Sequence, residues 1–413
     1  MRGLKPKMKK ERRRVMPKVL CIKNIEIAKE QLKKLKVSTR GIDIMSPKAI
    51  HRIIKVSGID SRAANIVKQE MLSRGGEAAA PWELYKMDLK KVDMILMGTL
   101  RQYEELCVKL ELQPFGLPLL AQDIREALHN YDKKPSVIKA GRFELDLSSK
   151  TYVMGILNVT PDSFSDGGKF FDYTLAAEQG RRMALEGADI IDIGGESTRP
   201  GADPVSVDEE LKRVIPVIEK LSTELDVPIS IDTYKPQVAK EALEAGASIV
   251  NDISGLRDDK MIELIAEKNV PVVIMHMKGT PRDMQINPSY DDVVSEVADW
   301  LDSQARKAIS AGISRDNLLI DPGIGFGKTL EHNVEIIRCL SAFKSLGYPI
   351  VLGTSRKSFI GAILDLPVEE RLEGTLATLA YGIIQGANIV RVHDVKEAVR
   401  VSRVIDAIKE EHA

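Results

Sequence analysis

The sequence is poor in cysteine and in long apolar runs. It contains 3 cysteines in 413 residues, and Cys21, Cys107 and Cys339 lie far apart in apolar stretches. This pattern predicts buried thiols in a reducing compartment, without a disulfide or a zinc site. No apolar run reaches the roughly 18 residues that a transmembrane helix needs, and no apolar segment with a cleavage site follows the start. We therefore expect a cytoplasmic protein without a membrane partner.

An excess of charge of either sign is also missing. Lys plus Arg and Asp plus Glu number 60 each, so no overall field favours nucleic acid or an anionic membrane. The exception is "MRGLKPKMKKERRRV" at residues 1–15, with eight Lys or Arg against one Glu. It could be a nucleic-acid-binding arm, a disordered tail, or the result of a misassigned start, since "MPKVLCIKN" from Met16 has the pattern of an N-terminal strand. We expect a disordered tail over residues 1–17 and no nucleic-acid partner.

Residues 18–135 alternate strand-like and helical patterns, which predicts a small α/β domain. The predicted strands are "KVLCIKN", "HRIIKVSG" and "VDMILMGT", and the predicted helices are "IEIAKEQLKKL", "SRAANIVKQEML" and "LPLLAQDIREALHNY". His51 and His129 are isolated, and no constellation of reactive side chains indicates a role for this domain. A short hairpin is expected at "GRFELDLSSKT".

A regular pattern then predicts the architecture of residues 136–413. Eight short apolar strands recur, namely "YVMGILNV", "ADIIDIGG", "PISIDT", "SIVNDIS", "PVVIMHM", "NLLIDPG", "PIVLGTS" and "ANIVRVH". Helical segments lie between them, among them residues 173–186, 207–224, 236–244, 291–310, 331–343 and 369–385. Eight strands that each precede a helix indicate a (β/α)8 TIM barrel, and continuous apolar runs suit strands covered on both faces. An open doubly wound sheet is the alternative fold.

Polar residues end almost every predicted strand of this barrel, where the active sites of such barrels lie. Single strand-end carboxylates or amides could cap the following helices, but Asp232, Asn251 and Asp321 together indicate a ligand pocket. Carboxylate acceptors and a carboxamide that both donates and accepts suit a flat heterocycle with amine and lactam edges, such as a pterin or a purine. Met275 and Phe326 are the predicted apolar walls, although either could be core packing.

A second group at the strand ends is cationic. Lys357 and Ser358 follow the seventh strand, and Arg391 and His393 end the eighth, where such barrels commonly bind phosphate. A surface ion-pair set is the alternative. Asn158 ends the first strand and could help to hold a Mg²⁺ that also binds phosphate oxygens. No nucleophile stands beside a base, so covalent chemistry is not indicated.

The barrel part of the sequence resembles the dihydropteroate synthases of folate biosynthesis over residues 150–413. The shared motifs, in family order, are "GILNVTPDSFSDGG", "DIGGESTRPG", "ISIDT", "VNDISG", "DPGIGFGK", "GTSRKSFIG" and "VRVHDV". The resemblance implies condensation of 6-hydroxymethyl-7,8-dihydropterin diphosphate with 4-aminobenzoate to dihydropteroate and pyrophosphate, with Mg²⁺ as cofactor. The residues before the barrel are not part of this resemblance.

The resemblance also implies roles for individual residues. It assigns catalysis to Asp321, Lys357, Arg391 and His393, and of these Arg391 with His393 would bind the diphosphate. The pterin pocket would be formed by Asp232, Asn251, Met275, Asp321, Phe326 and Lys357. Contacts to 4-aminobenzoate and the two loops would come from Ser163, Phe164, Thr198, Arg199, Pro200 and Ser358. Asn158 would be the residue associated with Mg²⁺.

Two other functions remain open from the sequence. A pterin-binding methyltransferase barrel would share the Asp and Asn pocket but would have no use for "STRPG", "SRKS" and "RVH". A binding module without turnover would not need the chemically competent residue types present at each matched position. The family commonly forms homodimers, so the resemblance also implies a homodimer.

Overall fold

The structure is a computed structural model, and it describes residues 16–86, 89–160, 173–197 and 203–409. The chain divides into two compact units, one up to Glu126 and one from Ala127 onward. This division precedes the boundary expected at residue 136. It falls within helix α5, Leu117–Asp132.

The first unit contains a small antiparallel sheet with helices. Its strands β1 His51–Asp60, β2 Glu77–Ala79 and β3 Lys91–Thr99 are ordered β1-β3-β2. Its other helices are α1 Ile25–Lys34, α2 Thr39–Met45, α3 Ser61–Leu72 and α4 Leu100–Leu110, and short 3₁₀ turns cover Ser46–Lys48 and Trp82–Lys86. The predicted small α/β domain is therefore confirmed.

Helix α4 packs against the sheet of this unit through its apolar face. Helix α4 buries Tyr103, Leu106 and Leu110, which follow the three-to-four-residue spacing of an amphipathic helix. The Tyr103 hydroxyl donates to the Leu96 carbonyl oxygen at 2.8 Å, which satisfies its buried polar group.

One predicted strand of this unit is wrong. "KVLCIKN" forms no strand, and both Val19 and Cys21 are exposed there, so Cys21 is not the buried thiol that its apolar neighbours suggest. Apolar residues alone do not make a strand, because a strand also needs a partner for its backbone groups.

The second unit is a closed barrel of parallel strands. Its strands are β6 Tyr152–Asn158, β7 Ile190–Gly194, β8 Ile229–Asp232, β9 Ile249–Asp252, β10 Val272–Met275, β11 Leu318–Asp321, β12 Val351–Leu352 and β13 Ile389–Val392. They form one 8-stranded sheet within the described ranges, from β11 through β6 and β13 to β12. A parallel bridge between Ile320 and Ile350 joins its two ends. The predicted TIM barrel is confirmed, and the open doubly wound sheet is excluded because the sheet closes.

Helices follow the strands in the order that this fold requires. They are α6 Tyr173–Leu185, α7 Val207–Glu224, α8 Pro236–Glu244, α9 Asp259–Lys268, α10 Val293–Ser310, α11 Leu330–Arg338, α12 Ser358–Leu364, α13 Leu372–Gln385 and α14 Val395–Lys409. Short 3₁₀ helices cover Arg315–Asn317, Leu340–Leu346 and Val368–Glu370. None of the helices in the described ranges is long and apolar enough to cross a membrane.

The barrel interior is apolar at its N-terminal end. Inward side chains of the strands form one buried cluster with the hairpin β4 Val137–Ala140 and β5 Phe143–Asp146. From the strands this cluster takes Tyr152, Met154, Ile190, Ile249, Val273, Leu319, Val351 and Ile389. The hairpin thus closes this end of the barrel, and the predicted hairpin is present, although its first strand begins at Val137.

The strand periodicity places the next interior layer two residues further along. Because side chains of a strand alternate between its two faces, the residue two positions after each member of the apolar cluster points into the barrel as well. These positions include Asp192, Asn251, Met275, Asp321 and Arg391. The barrel therefore changes from an apolar to a polar interior at the C-terminal ends of its strands.

Candidate active site

The guanidinium group of Arg391, on β13, lies between two buried carboxylates. Its Nε donates to Asp192 Oδ2 at 2.6 Å, and its Nη2 donates to Asp232 Oδ2 at 2.6 Å. Burial raises the pKa of Asp232 to about 7, and the Arg391 guanidinium opposes this rise. The two carboxylates hold the cation in one orientation at the barrel mouth.

Asn251 belongs to the same network. Its Nδ2 donates to Asp192 Oδ2 at 3.1 Å, and the Asn251 side chain is buried. One carboxylate oxygen of Asp192 therefore joins the predicted pterin residue Asn251 to the predicted anion residue Arg391.

Asp321 and Lys357 form the second half of the site. Asp321 Oδ1 accepts from the Gly323 backbone N–H at 2.7 Å, and burial raises the pKa of Asp321, against the nearby Lys357 cation. Burial also lowers the pKa of Lys357 to about 8, although Asp321 works against the lowering. Lys357 Nζ donates to the Ile324 carbonyl oxygen and lies 4.4 Å from the centre of the Phe326 ring. These two groups and Phe326 are therefore brought together.

Hydrogen bonds from Lys328 stabilise the turn after β11. The Lys328 Nζ is buried and donates to the carbonyl oxygens of Gly323 at 2.9 Å and Phe326 at 3.0 Å. It also lies 2.9 Å from His276 Nδ1, and burial lowers the pKa of His276 to about 2, so this ring is neutral and accepts. Gly323 has φ +68°, and a Cβ there would lie 1.9 Å from the His276 carbonyl oxygen, which excludes any other residue.

His393 is oriented by a residue that the sequence reasoning did not single out. The Ser355 hydroxyl lies 2.9 Å from His393 Nδ1, and it accepts from the His393 backbone N–H at 3.2 Å. The next residues, Arg356 and Asp394, form an ion pair with Nε to Oδ2 at 2.9 Å. These contacts join the ends of β12 and β13, and they orient the His393 ring at the end of the strand that carries Arg391.

The predicted apolar walls share one cluster. Met275 is buried with Ile253, Met277 and Met284, and Phe326 packs against this group. A cavity of about 360 Å³ lies next to it, lined by Glu196, Pro204, Tyr234, Ile253, Ser254, Arg257, Met277, Thr280, Pro281 and Arg282. Ile253 and Met277 of this cluster thus line the cavity, which none of the predicted pterin residues lines.

Asn158 stands at the end of β6, paired in register with Gly194 of β7, while β13 with Arg391 is the neighbour on its other side. The described residues contain no group of three or more His, Cys, Asp and Glu that could hold a metal ion. Mg²⁺ often takes one or two protein oxygens and completes its shell with phosphate and water. A carboxamide oxygen next to a cationic anion site fits that mode of binding.

The predicted residues for 4-aminobenzoate and the loops are not part of the network around Arg391 and Lys357. Ser358 is exposed and is the first residue of α12, directly after Lys357. The others lie outside the described residues, namely Ser163, Phe164, Thr198, Arg199 and Pro200.

Sequence reasoning missed Asp192, which is completely buried. Asp192 lies inside an apolar run, two residues before the end of β7, whereas the predicted site residues lie closer to the strand ends or after them. A periodic signal was available, because Asp192 follows Ile190 by two residues just as Asn251 follows Ile249 and Asp321 follows Leu319.

Known proteins of similar sequence and structure identify the family of the barrel. The pterin binding enzyme family matches residues 154–393. The chain is 51% identical over 283 residues to the dihydropteroate synthase of Bacillus subtilis, which covers 68% of this chain and 96% of that protein. A solved structure of Xanthomonas albilineans dihydropteroate synthase with 4-aminobenzoic acid is 44% identical, with a TM-score of 0.64 over 68% of this chain and 100% of that one.

A third relative also covers most of the residues before the barrel. The probable bifunctional folylpolyglutamate synthase/dihydropteroate synthase of Halobacterium salinarum is 41% identical over 396 residues, which is 94% of this chain and 46% of that protein. The first unit therefore has a counterpart in a longer relative, whereas the Bacillus protein matches the barrel part. By its barrel, its strand-end motifs and these relatives, the chain belongs to the dihydropteroate synthase family of pterin-binding enzymes.

Proposed function

We propose that the barrel transfers the dihydropterin-6-ylmethyl group of 6-hydroxymethyl-7,8-dihydropterin diphosphate to the amine of 4-aminobenzoate, with 7,8-dihydropteroate and pyrophosphate as products. The observation that carries this proposal is the single network of Arg391, Asp192, Asp232 and Asn251. It joins a cation suited to diphosphate to acceptors and an amide suited to a pterin edge, within a chain of the dihydropteroate synthase family.

The bond to be broken joins the pterin methylene carbon to a diphosphate oxygen. Its cleavage leaves an anion and a cation that the electron-rich dihydropterin ring delocalises. Arg391, His393 and Lys357 would hold the leaving anion, which is preorganised electrostatic stabilisation. Mg²⁺, held in part by Asn158, would supply further positive charge to the diphosphate oxygens.

The pterin side of the site would stabilise the developing cation. Asp232, Asn251 and Asp321 would bind the polar edge of the ring, and Met275 and Phe326 would contact its faces and keep water away. Ser358, Thr198, Arg199, Pro200, Ser163 and Phe164 remain the proposed residues for 4-aminobenzoate and the loops. Because the dihydropterin ring can delocalise the cation that the cleavage leaves, we propose that the diphosphate leaves before the amine attacks. The amine nitrogen then bonds to the methylene carbon and releases a proton.

A direct assay tests this function. The full chain, incubated with pterin diphosphate and 4-aminobenzoate, is expected to form 7,8-dihydropteroate with Mg²⁺ and to lose this activity with EDTA. In rapid-quench experiments without 4-aminobenzoate, pyrophosphate and a pterin species should appear separately. If pyrophosphate is released only after the amine is added, the order of steps is wrong, and absence of product under all conditions would contradict the function itself.

The proposed metal ligand can be tested separately. Asn158→Ala is expected to raise the Mg²⁺ concentration for half-maximal activity about tenfold, because one protein oxygen of a weakly held ion is lost. Asn158→Asp keeps an oxygen at this position and is the matched control, with a requirement at or below that of the wild type. An unchanged Mg²⁺ titration in Asn158→Ala would remove Asn158 from the metal site.

The family membership also supports two coarser proposals. We infer that the chain acts in the cytoplasm and that two copies associate, and sedimentation of the full chain would give the mass of the assembly.

A further inference from the structure

Asp192 lies at the centre of the site, although neither the motifs nor the comparisons assign it a role. It is 0% exposed, and its Oδ2 accepts from both Arg391 Nε at 2.6 Å and Asn251 Nδ2 at 3.1 Å. Its Oδ1 is buried and has no hydrogen-bond partner among the described residues. Burial of a carboxylate raises the free energy of the folded state unless the carboxylate is paired and hydrogen-bonded. A completely buried carboxylate with one unpaired oxygen therefore calls for an explanation.

The contact with Arg391 determines how the guanidinium is presented. A guanidinium carries five N–H donors in a rigid plane. Asp192 takes the one on Nε and Asp232 takes one on Nη2, so that three remain for an anion. Two carboxylates on neighbouring strands, β7 and β8, fix the plane of the guanidinium where Asp232 alone would leave it free to rotate about one bond.

The contact with Asn251 determines which end of the amide faces the ligand. An ionised carboxylate only accepts, so Asn251 must turn its NH₂ group toward Asp192. The Asn251 carbonyl oxygen is then directed away from Asp192, and it can accept from an N–H group of the pterin. Without the carboxylate, the amide could turn over and offer the wrong group.

We propose that Asp192 is a positioning residue that sets the orientation of Arg391 for the diphosphate and of Asn251 for the pterin through one shared oxygen. This proposal rests on the proposed function of these two residues. Asp192 touches neither substrate in this role. It acts through the two side chains that do, and it couples the half of the site that binds the leaving group to the half that binds the ring.

A simpler role would be charge balance for Arg391 alone. That role predicts a change in anion binding, and it predicts that any change in pterin binding is the same with and without the Asn251 side chain. Positioning of both groups predicts that both halves of the substrate bind more weakly when Asp192 is changed. The two roles are therefore separated by measuring the halves one at a time, with and without the Asn251 side chain.

The test uses Asp192→Asn in the full chain and isothermal titration with two probes, pyrophosphate with Mg²⁺ and 6-hydroxymethylpterin without diphosphate. Each probe is expected to bind about tenfold more weakly, the size of one lost charge-assisted hydrogen bond, and kcat should fall as well. In an Asn251→Ala background the effect of Asp192→Asn on the pterin probe should disappear, because the amide to be oriented is gone.

Asp189→Asn is the matched control. Asp189 immediately precedes the same strand β7, and its Oδ2 accepts from the Val153 backbone N–H at 2.9 Å at the other end of the barrel. It should lower the melting temperature without changing either titration. If Asp192→Asn does not fold, Asp192→Ser removes the carboxylate with less bulk and is titrated in its place.

The outcomes are distinct. The proposal is overturned if the Asp192 variants bind both probes as tightly as the wild type does, or if they lose only pyrophosphate binding. In either case, turnover by the wild-type chain would still support the proposed function. Failure of the wild-type chain to bind either probe would overturn the proposed function and, with it, this inference.

Discussion

Replacement of Arg391 by alanine is expected to lower kcat/KM for the pterin diphosphate by about 10³-fold, because removal of one preorganised donor to a developing anion costs about 10²–10³ and a full charge is lost as well. The variant should also bind Mg²⁺ with pyrophosphate more weakly in isothermal titration. Steady-state kinetics measure the first effect, and titration with the free product measures the second without turnover.

The same substitution should also destabilise the fold. Arg391 is the partner of both Asp192 and Asp232, and removal of one side of a buried ion pair costs about 3–5 kcal/mol. Thermal unfolding must therefore accompany the kinetics, with activity measured well below the melting temperature. Arg391→Lys is the control, since it keeps a charge but cannot serve two carboxylates in one plane. We expect it to fold better than the alanine variant and to remain far below wild-type turnover, whereas wild-type kcat/KM in either variant would exclude Arg391 from the anion site.

The second large effect is a loss of kcat/KM as the pH rises through about 8, the pKa to which burial lowers Lys357. Below this pH the ammonium group is charged and can hold the diphosphate. Above it the amine is neutral, so kcat/KM should fall tenfold for each pH unit. Because kcat/KM follows the free enzyme, and a bound diphosphate favours the charged lysine, the corresponding fall in kcat should come at higher pH.

Substitutions at Lys357 test the origin of this fall. Lys357→Met should lower kcat/KM about 10²–10³-fold at neutral pH, as for loss of one electrostatic donor. Lys357→Arg keeps a charge that does not titrate in this range, so the alkaline fall should flatten even if the rate is reduced. Burial also lowers the pKa of Lys328 well below its usual value. An alkaline fall that persists unchanged in Lys357→Arg would therefore assign the titration to another group, with Lys328 as the next one to examine.

Helices of the barrel were predicted well because their amphipathic periods and their terminal signals agree. Val207–Glu224 and Pro236–Glu244 begin and end where the sequence placed them. Ser206 caps the first by accepting from the Glu209 backbone N–H, and a proline opens the second. Single elements of the first unit differ from the prediction: "KVLCIKN" lacks a strand to pair with, and Leu100–Leu110 forms α4, which is not among the predicted helices.

The sequence by itself determined which residues end the strands of the barrel. Short apolar runs that alternate with helices specify parallel strands, and parallel strands in a closed barrel bring their C-terminal ends together. For that reason Asp232, Asn251, Asp321, Lys357 and Arg391 could be named as one site without coordinates.

Only the tertiary structure decided which of these side chains contact each other. Arg391 and Asp192 are 199 residues apart in the chain, on strands β13 and β7, which β6 separates in the sheet. Their ion pair exists because both side chains turn into the narrow interior of the barrel, where only β6 lies between their strands. Linear spacing carries no signal for such a contact, since the distance across the barrel depends on the pairing of all its strands. The carboxylate that joins the two halves of the site is for this reason visible in the fold and inconspicuous in the sequence.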